Sequence, residues 1–140
     1  MRFMIIRKGD AETEASAMPS EALIAAMAAY NEALVAAGAM LGGDGLQPTA
    51  KGAKVKFSGG KPVVTDGPFA EAKEVIAGFT IIRAASKAEA IEWAKRWPPL
   101  DGHGEVELEI RQLYELEDFG DSEELDRHAR IRDQLASRQA

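Results

Sequence analysis

Val63-Val64-Thr65-Asp66-Gly67-Pro68-Phe69-Ala70-Glu71-Ala72-Lys73-Glu74 carries an apolar strand into a rigid turn and then into a charged segment. Gly67 is free to take backbone angles closed to other residues. Pro68 fixes its own φ and restrains the residue before it, and Asp66 is placed to bond nearby backbone amides. Asp66 is therefore expected to be held in place, either as a turn that ends a strand or as a preorganised carboxylate. Upstream, Val55 to Phe57, Ser58-Gly59-Gly60-Lys61 and Pro62 to Thr65 read as a hairpin with a glycine turn that delivers Asp66. Downstream, Val75 to Ala84 reads as a strand with Phe79 and Ile81 on one face and Ile76, Thr80 and Ile82 on the other.

The same reading extends to both ends of the chain. Met1 to Arg7 is a strand with apolar residues on both faces, and Lys8 to Ser16 is polar and loop-like. Pro19 and Ser20 open a helix whose Leu23, Ile24, Met27, Tyr30 and Leu34 recur at helical spacing, and Gly38 stops it. From Ala39 to Leu46 a strand enters Gly42-Gly43-Asp44-Gly45. The spacing of a nucleotide fingerprint is missing, so a bend or bulge is favoured over a phosphate loop. Ser86 and Glu89 form a capping-box pattern ahead of a second helix, with Ala90, Ile91, Trp93, Ala94 and Trp97 as its apolar surface and Pro98-Pro99 as its end. The two tryptophans read as core or interface anchors. Pro99 to Gly104 is a loop carrying His103. Glu105 to Tyr114 alternates, with Val106, Leu108 and Ile110 toward the helices and Glu107, Glu109 and Arg111 on the opposite face. Asp121 to Arg138 reads as a charged helix with a thin stripe of Leu125, Ile131 and Leu135, expected to lie across the domain or a partner.

This order predicts an α+β, ferredoxin-like split βαβ sandwich (dimeric α/β-barrel type) with an antiparallel sheet, plus an inserted hairpin and a C-terminal helix. Residues 1–118 form the domain and 119–140 a charged helical extension. Both helices cover one sheet face, and the first strand is apolar on both sides. A second copy of the chain is the economical cover for the open face, giving a homodimer.

With 140 residues and 46% hydrophobic content, there is material for one ordinary domain with a real core. A net charge of −6 argues against nucleic acid or an anionic membrane as partner. The absence of cysteine excludes disulfides, iron–sulfur clusters, thiolate zinc sites and cysteine nucleophiles. No signal-peptide layout or bilayer-spanning apolar run is read, so a cytoplasmic location is the expectation. Two histidines far apart, without metal-site spacing, point to no metal, and no cofactor is expected.

Asp66-Gly67-Pro68-Phe69-Ala70-Glu71-Ala72-Lys73-Glu74 followed by a β-like run resembles the DGPF branch of the YCII-related family. The likeness extends from Phe3–Arg7 through Leu41-Gly42-Gly43-Asp44-Gly45-Leu46 to Leu108-Glu109-Ile110-Arg111, and the segment after Tyr114 lies outside it. It implies a small ferredoxin-like protein that pairs into dimers, in a family many of whose members have no established activity. The related YCII branch pairs a helix-borne histidine with an aspartate. Asp66 matches the aspartate, whereas apolar residues near Met27 stand where the histidine falls. His103 is the candidate to take over as the titrating group, and His128 carries less weight. The catalytic candidates are thus Asp66 and His103. Phe69, Glu71, Lys73, Glu109 and Arg111 are candidate ligand contacts, with Glu74 and Glu107 beside them. The leading expectation is a small-molecule-binding dimer, with metal-free acid–base chemistry on a small polar or aromatic compound at the Asp66 turn. The alternative is a non-catalytic accessory or regulatory module that meets a protein partner through its dimer surface and C-terminal helix.

Overall fold

The computed structural model describes residues 1–70 and 74–139. In chain order its elements are β1 (Arg2–Lys8), α1 (Ala11–Glu14), α2 (Glu21–Ala36), β2 (Met40–Gly45), β3 (Ala53–Ser58), β4 (Lys61–Asp66), β5 (Ile76–Arg83), α3 (Lys87–Lys95), β6 (Leu108–Gln112) and α4 (Glu123–Gln139). A four-stranded antiparallel sheet runs in the order β2-β5-β1-β6, and β3 with β4 forms a separate two-stranded sheet. The long crossovers carry α2 and α3, which makes the body an α+β sandwich of ferredoxin-like type.

β1 lies at the centre because both of its faces are apolar. Phe3 pairs with Ile82 and Gln112, and Ile5 pairs with Thr80 and Ile110, so one sheet face presents a continuous apolar patch. Ser20 Oγ accepts from Leu23 N at 3.1 Å and Ser86 Oγ from Glu89 N at 3.1 Å, so both covering helices start at the expected caps. They bury Tyr30, Leu34, Ala90 and Trp97 against Phe3, Ile5 and Ile82, with Val106, Leu108 and Ile110 packed alongside. Phe3, Ile5, Leu34 and Ile82 are almost fully enclosed, and each contributes roughly 1.5–3 kcal/mol of burial. Tyr30 joins α2 to α3 by donating to Trp93 O at 2.8 Å and by meeting the Trp97 ring edge-on at 5.3 Å. Burial pushes its phenol up to about 12, so it stays a neutral donor. The other sheet face carries Met4, Ile6, Phe79 and Ile81 beside Glu109 and Arg111.

Three expectations change in detail. Lys8 to Ser16 is not wholly loop, because Asp10 and Thr13 make a reciprocal cap that nucleates the single turn of α1. The last strand starts at Leu108 rather than Glu105, since Asp101–Gly104 turns as a short 3-10 helix just before it. The terminal helix does form, but it buries none of its residues and does not lie across the domain. Its apolar stripe is too thin to hold it there: Ile131 and Leu135 remain about half exposed. The glycine stretch holds a register shift between Met40 and Gly42, a bulge as expected. Among the described residues, no helix is long and apolar enough to cross a membrane.

The hairpin turns at Gly59-Gly60, both at positive φ (56° and 79°), as a two-residue loop between right-twisted strands requires. At its far end Gly67 N donates to Gly52 O at 2.9 Å, and Phe69 N donates to Thr49 Oγ1 at 3.0 Å. Gly67 packs so closely on the Thr49 carbonyl that a Cβ would overlap it. Gly67→Ala is therefore expected to destabilise the protein by about 1–3 kcal/mol, the usual cost of overpacking. Urea unfolding checks this, and an unchanged midpoint would remove the close approach as a constraint.

Candidate functional site

Between the helix-covered sheet face and the first half of α2 lies a cavity of about 810 Å³. Its floor is small-residue sheet: Gly43 and Gly45 from β2, Gly78 and Thr80 from β5. Leu23 and Met27 of α2, with Met40, Trp97 and Leu100, form apolar walls. Arg7, Asp10, Asn31, Thr80, Asp101 and His103 supply its polar side. An apolar hollow with a few convergent polar groups is the usual form of a small-molecule site.

The polar end is built on Arg7, the last inward-facing residue of β1. Its side chain is buried, and four of the five N–H groups of its planar fork are used. Nε and Nη2 donate to the two Asp101 oxygens at 3.1 and 2.7 Å, while Nη1 donates to Lys8 O at 2.7 Å and to Asp10 Oδ2 at 3.1 Å. Trp97 Nε1 also donates to Asp101 Oδ2, at 2.9 Å. Burial pushes the Asp101 carboxyl up, but the hydrogen bonds from Arg7 and Trp97 outweigh it and hold the group below the usual carboxylate range. Asp10 follows the same balance: burial raises it, and the Thr13 amide and Arg7 together bring it below its ordinary value. Hydrogen bonding to Asp101 raises the Arg7 guanidinium further.

His103 stands at the mouth. It takes φ 54° directly after Gly102 at φ 61°, two consecutive left-handed residues of which the second is not glycine. Such a conformation costs on the order of 1–3 kcal/mol and persists where the surroundings enforce it. Here Nε2 sits 3.0 Å from both oxygens of Glu12 on α1, so the imidazole and the carboxylate form an exposed pair. Deeper in, Thr80 is buried, and Asn31 Oδ1 is shut away from solvent with no hydrogen-bond partner among the described residues. An unmet acceptor of this kind is disfavoured by about 1–3 kcal/mol.

The residues singled out from sequence divide among separate places. His103 reaches the cavity, as does Met27, near which the resemblance puts the histidine of the YCII branch. Asp66 ends β4, exposed, and is not among the cavity-lining residues. Phe69 lines a second hollow of about 490 Å³ together with Glu74 and Lys54, and the Lys54 ammonium stands 4.4 Å from the Phe69 ring centre. Glu109 and Arg111 form an exposed 3.4 Å ion pair on the opposite sheet face, and Glu107 precedes that strand. Glu71 and Lys73 lie outside the described residues. The structure therefore does not gather Asp66, His103, Glu109 and Arg111 into one site. Sequence reading passed over Arg7, Asp10, Asn31 and Asp101. The available signal was a cation closing a strand that is apolar on both faces, with an aspartate just after Trp97-Pro98-Pro99-Leu100. Among the described residues, no grouping of three or more His, Asp or Glu side chains is placed to hold a metal ion.

One path of hydrogen bonds ties the cavity to the Asp66-Gly67-Pro68-Phe69 turn. Asp10 caps α1, and Glu14 at the end of α1 accepts from Thr49 N at 3.0 Å and from Thr49 Oγ1 at 2.5 Å. Thr49 Oγ1 in turn accepts from Phe69 N.

Removing one partner of a buried ion pair strands the other, so Asp101→Ala is expected to cost about 3–5 kcal/mol at neutral pH. The native carboxyl is depressed below its unfolded value near 3.9, so its contribution is full above about pH 4 and is lost as pH falls through the native value. Urea unfolding should accordingly show the gap between wild type and variant narrowing below about pH 4. A gap independent of pH would show that the aspartate acts through packing alone.

Beyond geometry, two matches place the chain among known proteins. It is 46% identical over 50 residues to the uncharacterized protein R00369 of Rhizobium meliloti (strain 1021), a stretch covering 36% of this chain and 40% of that protein. The chain thus spans less than half the length of that curated relative in the match. The YCII-related domain, by contrast, matches residues 1–114, from the first strand through the last strand of the sheet. With its full sandwich inside that span, this chain belongs to the YCII-related family.

Proposed function

We propose that this YCII-related protein binds a small molecule of mixed apolar and polar character in the cavity beneath α2, working as a homodimer. Turnover there would be metal-free proton transfer at the mouth, with the His103 imidazole as the transferring group and Glu12 as its hydrogen-bond partner. The observation that carries the reading is the cavity of about 810 Å³ with Leu23, Met27 and Trp97 on one side and the Arg7–Asp101 network on the other. A ligand with a polar edge and an apolar body answers both halves, and Asn31 offers an amide with an unmet acceptor. Imidazole suits proton transfer near neutral pH, and the strained turn aims it at the mouth. Dimerisation is supported by the apolar face of Met4, Ile6, Phe79 and Ile81, which neither α2 nor α3 covers.

A panel of small polar and aromatic compounds tested by thermal unfolding checks the site, because a ligand of the folded state raises the melting temperature by mass action. A stabilising compound should lose much of its effect with Leu23→Trp, which narrows the cavity at its apolar wall, and keep it with Asp66→Asn. The opposite pattern would move the site to the Asp66 turn.

A second reading, a non-catalytic module that meets a protein partner, rests on α4. This helix buries no residue and leaves Ile131 and Leu135 exposed. Removing the chain after Asp118 should leave ligand binding intact under the first reading. Under the second it should abolish partner association while the core stays folded.

A further inference from the structure

We infer that the cavity selects a small organic cation, a protonated amine on an apolar body, over the carboxylate of the same skeleton. This names the ligand class of the proposed site and rests on that reading. The argument is one of charge left over after internal pairing. Three carboxylates, Asp10, Glu12 and Asp101, line the cavity against one guanidinium, Arg7. Arg7 cannot clamp an anion with two parallel bonds, because Nε, both N–H groups of Nη1 and one of Nη2 are committed to Asp101, Asp10 and Lys8 O, which leaves a single Nη2 N–H. His103, the remaining group able to carry positive charge, faces both oxygens of Glu12 at 3.0 Å. Asp44 also borders the cavity, but its register opposite Phe79 puts its side chain on the other sheet face, so it is left out of the balance.

The opposing influence is the start of α2, where the helix dipole favours negative charge. That end is already served by Ser20 Oγ on Leu23 N and by the Glu21 carboxylate in the first turn. An anion entering the cavity would meet the carboxylates of Asp10 and Glu12 with a single uncommitted N–H of Arg7 to offset them. An ammonium would meet the remaining lone pairs of Asp10, which is part-exposed, and of Glu12, which is exposed at the mouth, so the attraction is modest and sensitive to salt. Asn31 and Thr80 add neutral polar contacts, and Leu23, Met27 and Trp97 receive the apolar body.

Matched probes test this: benzylamine, benzyl alcohol and benzoate, followed by thermal unfolding and equilibrium titration at low salt. The amine should bind more tightly than the alcohol, and benzoate should bind least. Glu12→Gln, an exposed position that keeps the side chain's size, should reduce amine affinity by up to about 5-fold while leaving the alcohol unchanged. Added salt should erode the amine's advantage and leave the alcohol's affinity as it was. Benzoate binding as well as the amine, or an amine-to-alcohol ratio unmoved by Glu12→Gln, overturns the cation preference while leaving the cavity as a binding site. Failure of all three probes to bind folded protein overturns the cation preference together with the cavity reading.

Discussion

The Arg7–Asp101 pair is the constraint on which the polar half of the molecule depends. Taking two charges out of water is costly, and the cost is offset only when the geometry is good and the remaining hydrogen-bonding capacity is met. The geometry is good and most of that capacity is met: the guanidinium meets the carboxylate with two parallel bonds, Trp97 Nε1 takes further capacity of Asp101, and Asp10 with Lys8 O occupies Nη1. The pair joins the end of the central strand to the turn that follows α3, two segments 94 positions apart in sequence. It fixes the Asp101–Gly104 turn against β1 and so sets where His103 stands.

The four-residue helix α1 depends on this anchor too. A single turn has no stability of its own, because nucleation costs more than so few hydrogen bonds return. Asp10 caps it while bonded to Arg7, and Glu14 at its other end grips Thr49. Thr49 then receives Phe69 and sits under Gly67. The Asp66-Gly67-Pro68-Phe69 turn thus has a demonstrable positioning role: it seats the hairpin on the Thr49 loop, which α1 connects to the cavity wall. The turn and the cavity share no lining residue, yet they are ends of one hydrogen-bonded path.

Most of the fold was legible in the sequence because its signals are local and repeated. Helical spacing over Leu23 to Leu34, caps at Ser20 and Ser86, strand alternation at Leu108 to Arg111 and a Gly-Gly turn each specify an element without knowledge of the rest. The cavity was not legible, because it is made by long-range pairing. Arg7 looks like the polar end of a strand until Asp101 is brought to it, and Asp10 looks like loop until Arg7 holds it. His103 was found because imidazole is chemically conspicuous at any position. Asp66 was singled out because its turn is conspicuous, and the structure gives that turn a mechanical explanation. The tail helix was read correctly as a helix, but it does not pack across its own domain, since amphipathic spacing shows which face prefers burial and not which surface receives it.

The position of the cavity follows from which residues the sheet places beneath α2. Along the helix-covered face, the end formed by Phe3, Ile5 and Ile82 fills the space with large side chains, and there α2 and α3 close down on Leu34, Tyr30 and Trp97. Toward the other end the registered residues are Gly43 opposite Thr80 and Gly45 opposite Gly78. They present almost no side-chain volume to Leu23 and Met27 above them. The hollow opens to solvent past Met18 and His103, and its inner part stays unfilled only if α2 is held off the sheet. Two features maintain it. The Tyr30 bond to Trp93 O and the Tyr30–Trp97 contact fix α2 at its well-packed end, and the Arg7–Asp101–Asp10 network props the opposite wall. Small residues on the floor and rigid supports at both ends make the space a property of the sequence, set apart from the apolar core that holds the sandwich together.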